Sequence, residues 1–209
     1  MRHEDISAIF SRAQTLMGSH IEIPFEPGYR LHHGRRVANL AVRIGAQLGF
    51  EFDEDIIVVA GTLHDIGKTV NDGHDESHGP IGAKIIAAEF KDRLSEEELR
   101  QVCNIVENHY ARPKSSWYEG KEKPEFSNNV YLIQDADVLD HFGYEGIWIA
   151  LHWASYKNLT PEQSAKSWRE SEYAVNKRRE SMKSLNFDYS RRLLEERIAI
   201  MQTFFDSLE

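Results

Sequence analysis

Apolar residues recur at helical spacing along nearly the whole chain, and the strict alternation of a half-buried strand is almost absent. Ile6, Ile9, Phe10, Ala13, Leu16 and Met17 form the first stripe and predict a helix over Asp5 to Met17. Pro24 and Pro27 then mark a loop from Gly18 to Gly28. A second helix is expected from about Arg30 to Leu48, with Val37, Leu40, Ala41, Ile44 and Leu48 on one face. His33 lies four residues before Val37 on that face, whereas His32 points elsewhere. Gly49 ends this helix, and Asp53 is placed to cap the next, which carries Ile56, Val59, Ala60 and Leu63 up to His64.

Beyond Lys68 the pattern breaks into a polar loop, Thr69 to Ser77, holding His74 and Asp75. His78-Gly79-Pro80 opens a helix with Ile81, Ile85, Ile86 and Phe90 inward. Ser95-Glu96-Glu97-Glu98 reads as a capping box for a helix over Glu96 to Asn108, whose stripe includes Cys103 and is continued by His109. The longest loop, Tyr110 to Asn129, leaves directly from His109 and is expected to be a lid or substrate-contact segment. Val130 to Asp140 is helical, with Asp137 at the edge of its inward face. Glu145 to Tyr156 is apolar almost all round, which predicts burial between neighbours. Thr160-Pro161 opens a further helix, a turn follows at Asn186 to Ser190, and the last helix runs to about Ser207. These readings give an all-α globular bundle of eight or nine helices. With no repeat, low-complexity tract or linker, a single domain over 1–209 is expected: a core at about 30–146, with helices of 147–209 packed on it.

Composition narrows the setting. Hydrophobic content of 41% with 28% charged residues belongs to a folded globular chain. No apolar run approaches the roughly 20 residues needed to cross a bilayer, and Arg2, His3, Glu4 and Asp5 leave no room for a signal h-region. The single Cys103 has no internal disulfide partner, so a reducing cytoplasm is the expected location. Net charge is 25 − 34 = −9 without a basic block, which argues against general nucleic-acid binding. A small phosphorylated substrate stays open, because a bound cation reverses the local sign inside a site.

The candidate chemistry centres on Ala60-Gly61-Thr62-Leu63-His64-Asp65-Ile66-Gly67-Lys68, where an apolar run stops at an adjacent imidazole and carboxylate. Neighbours in a helix point about 100° apart, so an ordinary buried face would not hold both. At a helix end the pair can converge on one ion: imidazole suits transition metals, and a carboxylate holds one ion or bridges two. His33 upstream in His33-x-x-Arg36-Val37, His109 in Asn108-His109, and Asp135-Ala136-Asp137-Val138-Leu139-Asp140 complete an ordered set. In that order the set resembles the HD superfamily of metal-dependent phosphohydrolases, over roughly Arg30 to Gly146. Leu63-His64-Asp65-Ile66-Gly67-Lys68 is similar to the family's central motif, and the Asp135 to Asp140 segment to the last-ligand motif of its small stand-alone hydrolases.

The resemblance implies four metal ligands, His33, His64, Asp65 and Asp137, with Asp135 the weaker claimant to the last place. His78 and His109 match in order the extra ligands of branches that hold two metals, although a helix cap and a core-edge histidine are their plainer readings. Lys68 and Arg36 are the cations expected to meet substrate phosphate; Arg36 could instead pair with Asp135 or Asp140. His64, Asp65 and Lys68 would carry the catalysis. One or two divalent ions per chain are implied, drawn from manganese, iron, cobalt, nickel, magnesium or zinc. The expected reaction is hydrolysis of a phosphoester of a small phosphorylated compound, a nucleotide among them, by metal-activated water. A di-iron oxygenase and a metal-binding regulatory domain are the alternatives.

Overall fold

The computed structural model describes residues 1–70 and 78–208, with Trp117 described through its backbone alone. His74 and Asp75 lie outside the described residues. Those described form ten α-helices and no strand: α1 His3–Met17, α2 Tyr29–Leu48, α3 Glu54–Leu63, α4 His78–Phe90, α5 Glu96–Asn108, α6 Asn128–Asp140, α7 Tyr144–Tyr156, α8 Pro161–Glu170, α9 Glu172–Ser184 and α10 Asp188–Asp206. Short 3₁₀ turns occupy Ile66–Thr69 and Ser116–Tyr118. No helix among the described residues is long and apolar enough to cross a membrane. The chain forms two compact units, one of Met1–Ala111 with Phe126–Ala136, the other of Arg112–Glu125 with Asp137–Glu209.

In the first unit the expected stripes are the core: Ile9, Ala13, Met17, Val37, Ala41, Ile44, Val59, Ala60 and Leu63 are all fully buried. Burying each Val, Leu, Ile or Met side chain among them contributes about 1.5–3 kcal/mol. The Asp53 carboxylate accepts from the N–H groups of Asp55 and Ile56, and Ser95 with Glu98 forms the capping box. α2 and α3 meet backbone to backbone. A Cβ on Gly34 would lie 2.3 Å from the Thr62 carbonyl oxygen, and one on Gly61 would lie 2.7 Å from Ala38 Cα. That close approach draws His33 of α2 beside the end of α3. Gly67 does the same for α4, since a Cβ there would lie 2.0 Å from the His78 carbonyl oxygen. Cys103 is half-buried on α5 with Sγ 3.5 Å from Ala83 O, and burial pushes its thiol up.

The second unit departs from expectation in two ways. The helix expected to run from Thr160 to the turn near Asn186 is two helices, parted at Ser171 with ψ 137°. Ser171 serves both: its N–H donates to Ser167 O at 3.1 Å, ending α8, and its Oγ accepts from Ala174 N at 3.2 Å, starting α9. α7 is the second departure. Only Gly146 and Ala154 of it are buried, whereas Tyr144, Trp153 and Tyr156 are exposed. An all-round apolar helix is covered only where neighbours reach it, and α7 has α8 and α10 on part of its circumference. The segment before Phe126 is tied to α9, with Glu180 accepting from the N–H and hydroxyl of Ser116.

Candidate metal centre

The centre in the first unit is built where α3 stops. His64 keeps helical angles, but Asp65 has φ −97° and ψ 10°, and Lys68 N–H then donates to Asp65 O at 3.0 Å as the chain tightens into the 3₁₀ turn. This change of winding lets consecutive side chains turn to one point. His64 Nδ1 lies 2.8 Å from Gly61 O, which can only accept, so Nδ1 carries the proton and Nε2 presents a lone pair. Nε2 sits 3.7 Å from Asp65 Oδ1.

His109 repeats the device at the end of α5. Its Nδ1 donates to Val106 O at 2.7 Å, and its Nε2 lies 3.6 Å from Asp65 Oδ1 and 2.9 Å from His78 Nε2. His78 Nε2 is likewise 3.6 Å from Oδ1, while His33 Nε2 is 4.0 Å from Oδ2. His33, His64, His109 and Asp65 are all within 2% of full burial, and His32 is exposed. Two groups of ligating atoms therefore share one carboxylate: His33, His64 and Asp65, and Asp65, His78 and His109, each set within 4.8 Å.

Two cations face the same carboxylate. Buried Arg30 donates to Asp65 Oδ2 at 2.9 Å and is itself gripped by both oxygens of Glu22. Lys68 Nζ lies 3.0 Å from each Asp65 oxygen. Burial on its own would raise the Asp65 carboxyl; Lys68 first, then His64 and Arg30, outweigh it and hold the group well below the usual carboxylate range. Oδ1 accepts no hydrogen bond of ordinary geometry from the described residues. A buried carboxylate oxygen beside the Nε2 lone pairs of His64 and His109 is an electron-rich pocket that suits a divalent cation of borderline softness. Arg36 is partly buried on α2 and Lys68 partly buried in the turn.

Arg30 and Glu22 escaped the sequence reading. One signal was present: a cation in the first turn of a helix opposes the macrodipole and needs a local carboxylate to hold it there.

α6 carries the remaining candidates. Asp135 is buried in the first unit, where neighbouring Gln134 donates to Asn108 O at 3.0 Å and Ala111 O at 2.9 Å, fixing the chain that leaves His109. Asp137, in the second unit, accepts from the Arg112 guanidinium, and its Oδ1 lies 4.0 Å from His141 Nδ1. His141 Nδ1 donates to Asp137 O at 2.9 Å. Burial lowers the Lys177 ammonium, with Asp137 opposing that shift and Arg112 adding to it. The basic ring of Arg112, His141 and Lys177 around Asp137 was not legible in sequence, because its members come from a loop, the turn after α6 and α9.

Comparison with known proteins gives a consistent picture. The family model of the HD domain matches residues 30–141. Ribonuclease Y 1 of Pediococcus pentosaceus is 44% identical over 82 residues, 38% of this chain and 14% of that protein. Ribonuclease Y of Thermotoga maritima is 30% identical over 132 residues, 59% of this chain and 23% of its own length. The chain thus spans less than a quarter of these relatives. Bacillus subtilis YpgQ superposes with a TM-score of 0.62 at 21% identity, covering 99% of this chain and 94% of that one, and has also been solved in complex with ADP. An HD-superfamily hydrolase from Bacillus thuringiensis superposes with a TM-score of 0.62 at 20% identity, covering 99% and 96%. At these identities the likeness establishes the fold.

Proposed function

We propose, from the premise that the chain belongs to the HD-domain family, that it is a metal-dependent phosphohydrolase acting on a small phosphorylated compound, with nucleotides the favoured class. The observation that carries the reading is Asp65: a deeply buried carboxylate held ionised and met by four imidazoles. His33, His64 and Asp65 would hold one divalent ion, with Asp137 added by the motif order; His78 and His109 with Asp65 would hold a second. A bound divalent ion supplies a Lewis acid for phosphoryl oxygens and makes water more acidic.

The side chains define the remaining roles. Backbone carbonyls of Gly61 and Val106 keep His64 and His109 in the tautomer that offers Nε2. Arg30 would orient Asp65 through Oδ2, leaving Oδ1 toward His64, His78 and His109. Lys68, 18% exposed, would meet a substrate phosphate, with Arg36 second. The nucleotide class is favoured because one protein of the same fold has been solved with ADP and the curated relatives are ribonucleases. A net charge of −9 favours a small nucleotide over a long RNA strand. Five candidate ligands in two groups sharing one carboxylate, with Asp137 added by the motif order, also suit a di-iron oxygenase, which is the second reading.

The test is a substrate panel of nucleoside mono-, di- and triphosphates and sugar phosphates, with protein loaded in turn with manganese, cobalt, magnesium and iron. Phosphate or pyrophosphate release, abolished by EDTA and in His64→Ala, is the expected result. No release from any member, with oxygen uptake by the iron-loaded protein, would replace the hydrolase by the oxygenase. Asp137→Ala should lose metal and Asp135→Ala should keep it.

A further inference from the structure

Within the second unit, α7, α8 and α9 line an open cavity of about 520 Å³. Its size falls in the range of about 300–1,000 Å³ that small-molecule sites occupy. Ile149, Ala150 and Trp153 of α7 supply an apolar wall, and Trp168 and Tyr173 add aromatic rings from α8 and α9. The charged lining residues are Lys157, Lys177 and Arg178, and no aspartate or glutamate lines the cavity. In a chain with 34 acidic and 25 basic residues, a pocket that gathers cations and excludes carboxylates is built for an anion.

Two further features define what fits. Trp168 is stacked on Phe205 at 5.4 Å, with the Arg178 guanidinium 4.4 Å from its ring centroid, so its partners hold the indole in place. Its Nε1 donor is buried with no acceptor among the described residues. A buried indole N–H normally finds an acceptor, and leaving one unmet costs about 1–3 kcal/mol. Trp153 and Tyr173 are 43% and 75% exposed, leaving ring surface open to a planar guest. His141 and Lys177 belong both to the lining and to the ring of bases around Asp137.

We infer that this cavity receives the base and ribose of a nucleoside phosphate, with the Trp168 indole N–H donating to an acceptor on the base and the phosphates directed past Lys177 toward Asp137. The direction of the phosphates rests on the phosphohydrolase reading; the aromatic end of the cavity does not.

Calorimetric titration of the manganese-loaded protein with ADP, adenosine and inorganic pyrophosphate tests it. ADP should bind at least about tenfold more tightly than pyrophosphate, about 1.4 kcal/mol. Ala150→Trp, which fills the cavity, should remove most of that advantage and leave pyrophosphate within about twofold. Trp168→Phe, which deletes the donor and keeps a ring, should weaken ADP and adenosine in the same proportion. Circular dichroism and metal content establish that each variant is folded, and Lys157→Ala, a solvent-facing change, serves if Ala150→Trp is not. It should weaken ADP and leave pyrophosphate within about twofold. ADP binding no tighter than pyrophosphate, or unchanged in the folded variants, overturns the inference. Tight ADP binding lost in Ala150→Trp, without turnover of any phosphoester, supports the cavity and removes the hydrolase instead.

Discussion

Arg30 donates to Oδ2 of Asp65 at 2.9 Å inside the protein, and that bond decides which carboxylate oxygen is turned toward the imidazoles of His64, His78 and His109. Arg30 is held from behind by Glu22, so the orientation of Asp65 is set by a chain of charges reaching back into the loop before α2. Arg30→Ala leaves two carboxylates facing each other in a buried space. It should cost about 3–5 kcal/mol, read from urea denaturation in EDTA. Arg30→Ala with Glu22→Gln should recover part of that loss while metal affinity stays low. Full recovery of metal affinity in the double variant would show that Arg30 serves stability alone.

The number of ions follows from the second group of ligands. Wild-type protein should hold two divalent ions per chain by elemental analysis at saturating manganese. His78→Ala with His109→Ala should hold one, because His33, His64 and Asp65 are unchanged. One ion in both proteins would make the 2.9 Å pair of His78 and His109 a structural contact.

Asp65 also predicts a pH dependence. Its folded value is depressed, whereas an unfolded carboxyl titrates at about 3.9. The unfolded chain then binds the extra proton first, so the stabilisation is fully present above about pH 5 and is lost as the pH falls through the folded value. In EDTA, wild-type stability should fall toward pH 3 more steeply than that of Asp65→Asn, by up to about 1.4 kcal/mol per pH unit. Parallel slopes would mean that Asp65 is protonated in the metal-free protein.

Two glycines separate crowding from backbone conformation. Gly67→Ala sets a methyl group 2.0 Å from the His78 carbonyl oxygen, and should cost more than the about 1–3 kcal/mol of ordinary overpacking while lowering metal content. Gly49→Ala meets nothing within 4 Å and has only its φ of +68° to accommodate. It should cost about 1–2 kcal/mol with metal content unchanged.

Much of this molecule is legible in its sequence, and the exceptions have physical causes. Stripes at helical spacing locate α1 to α6 to within about two residues, because capping residues such as Asp53 and Ser95 mark where helices begin. Ser171 hid the break between α8 and α9, since a lone serine with no glutamate or glutamine three residues later is a weak start signal. α7 misled by composition: hydrophobicity records what a helix could bury, not how many neighbours arrive to cover it. Histidines in family order were visible, and so was the contrast between His32 and His33, because helical phase alone puts one outside and one inside. Glu22 and Arg30 were not, because an ion pair closed between a loop and a helix leaves no periodic trace.

The crossing of α2 and α3 carries a consequence for how such chains diverge. Gly34 lies against Thr62 O and Gly61 against Ala38 Cα, so the spacing between His33 and Asp65 is set by main chain touching main chain. During evolutionary drift, side chains in a core are exchanged for larger or smaller ones, and the helices they separate shift with each exchange. Exchange at either glycine is blocked instead, because a Cβ on Gly34 would lie 2.3 Å from Thr62 O and one on Gly61 2.7 Å from Ala38 Cα. The rest of the interior can therefore be rewritten residue by residue without moving the gauge between these two helices.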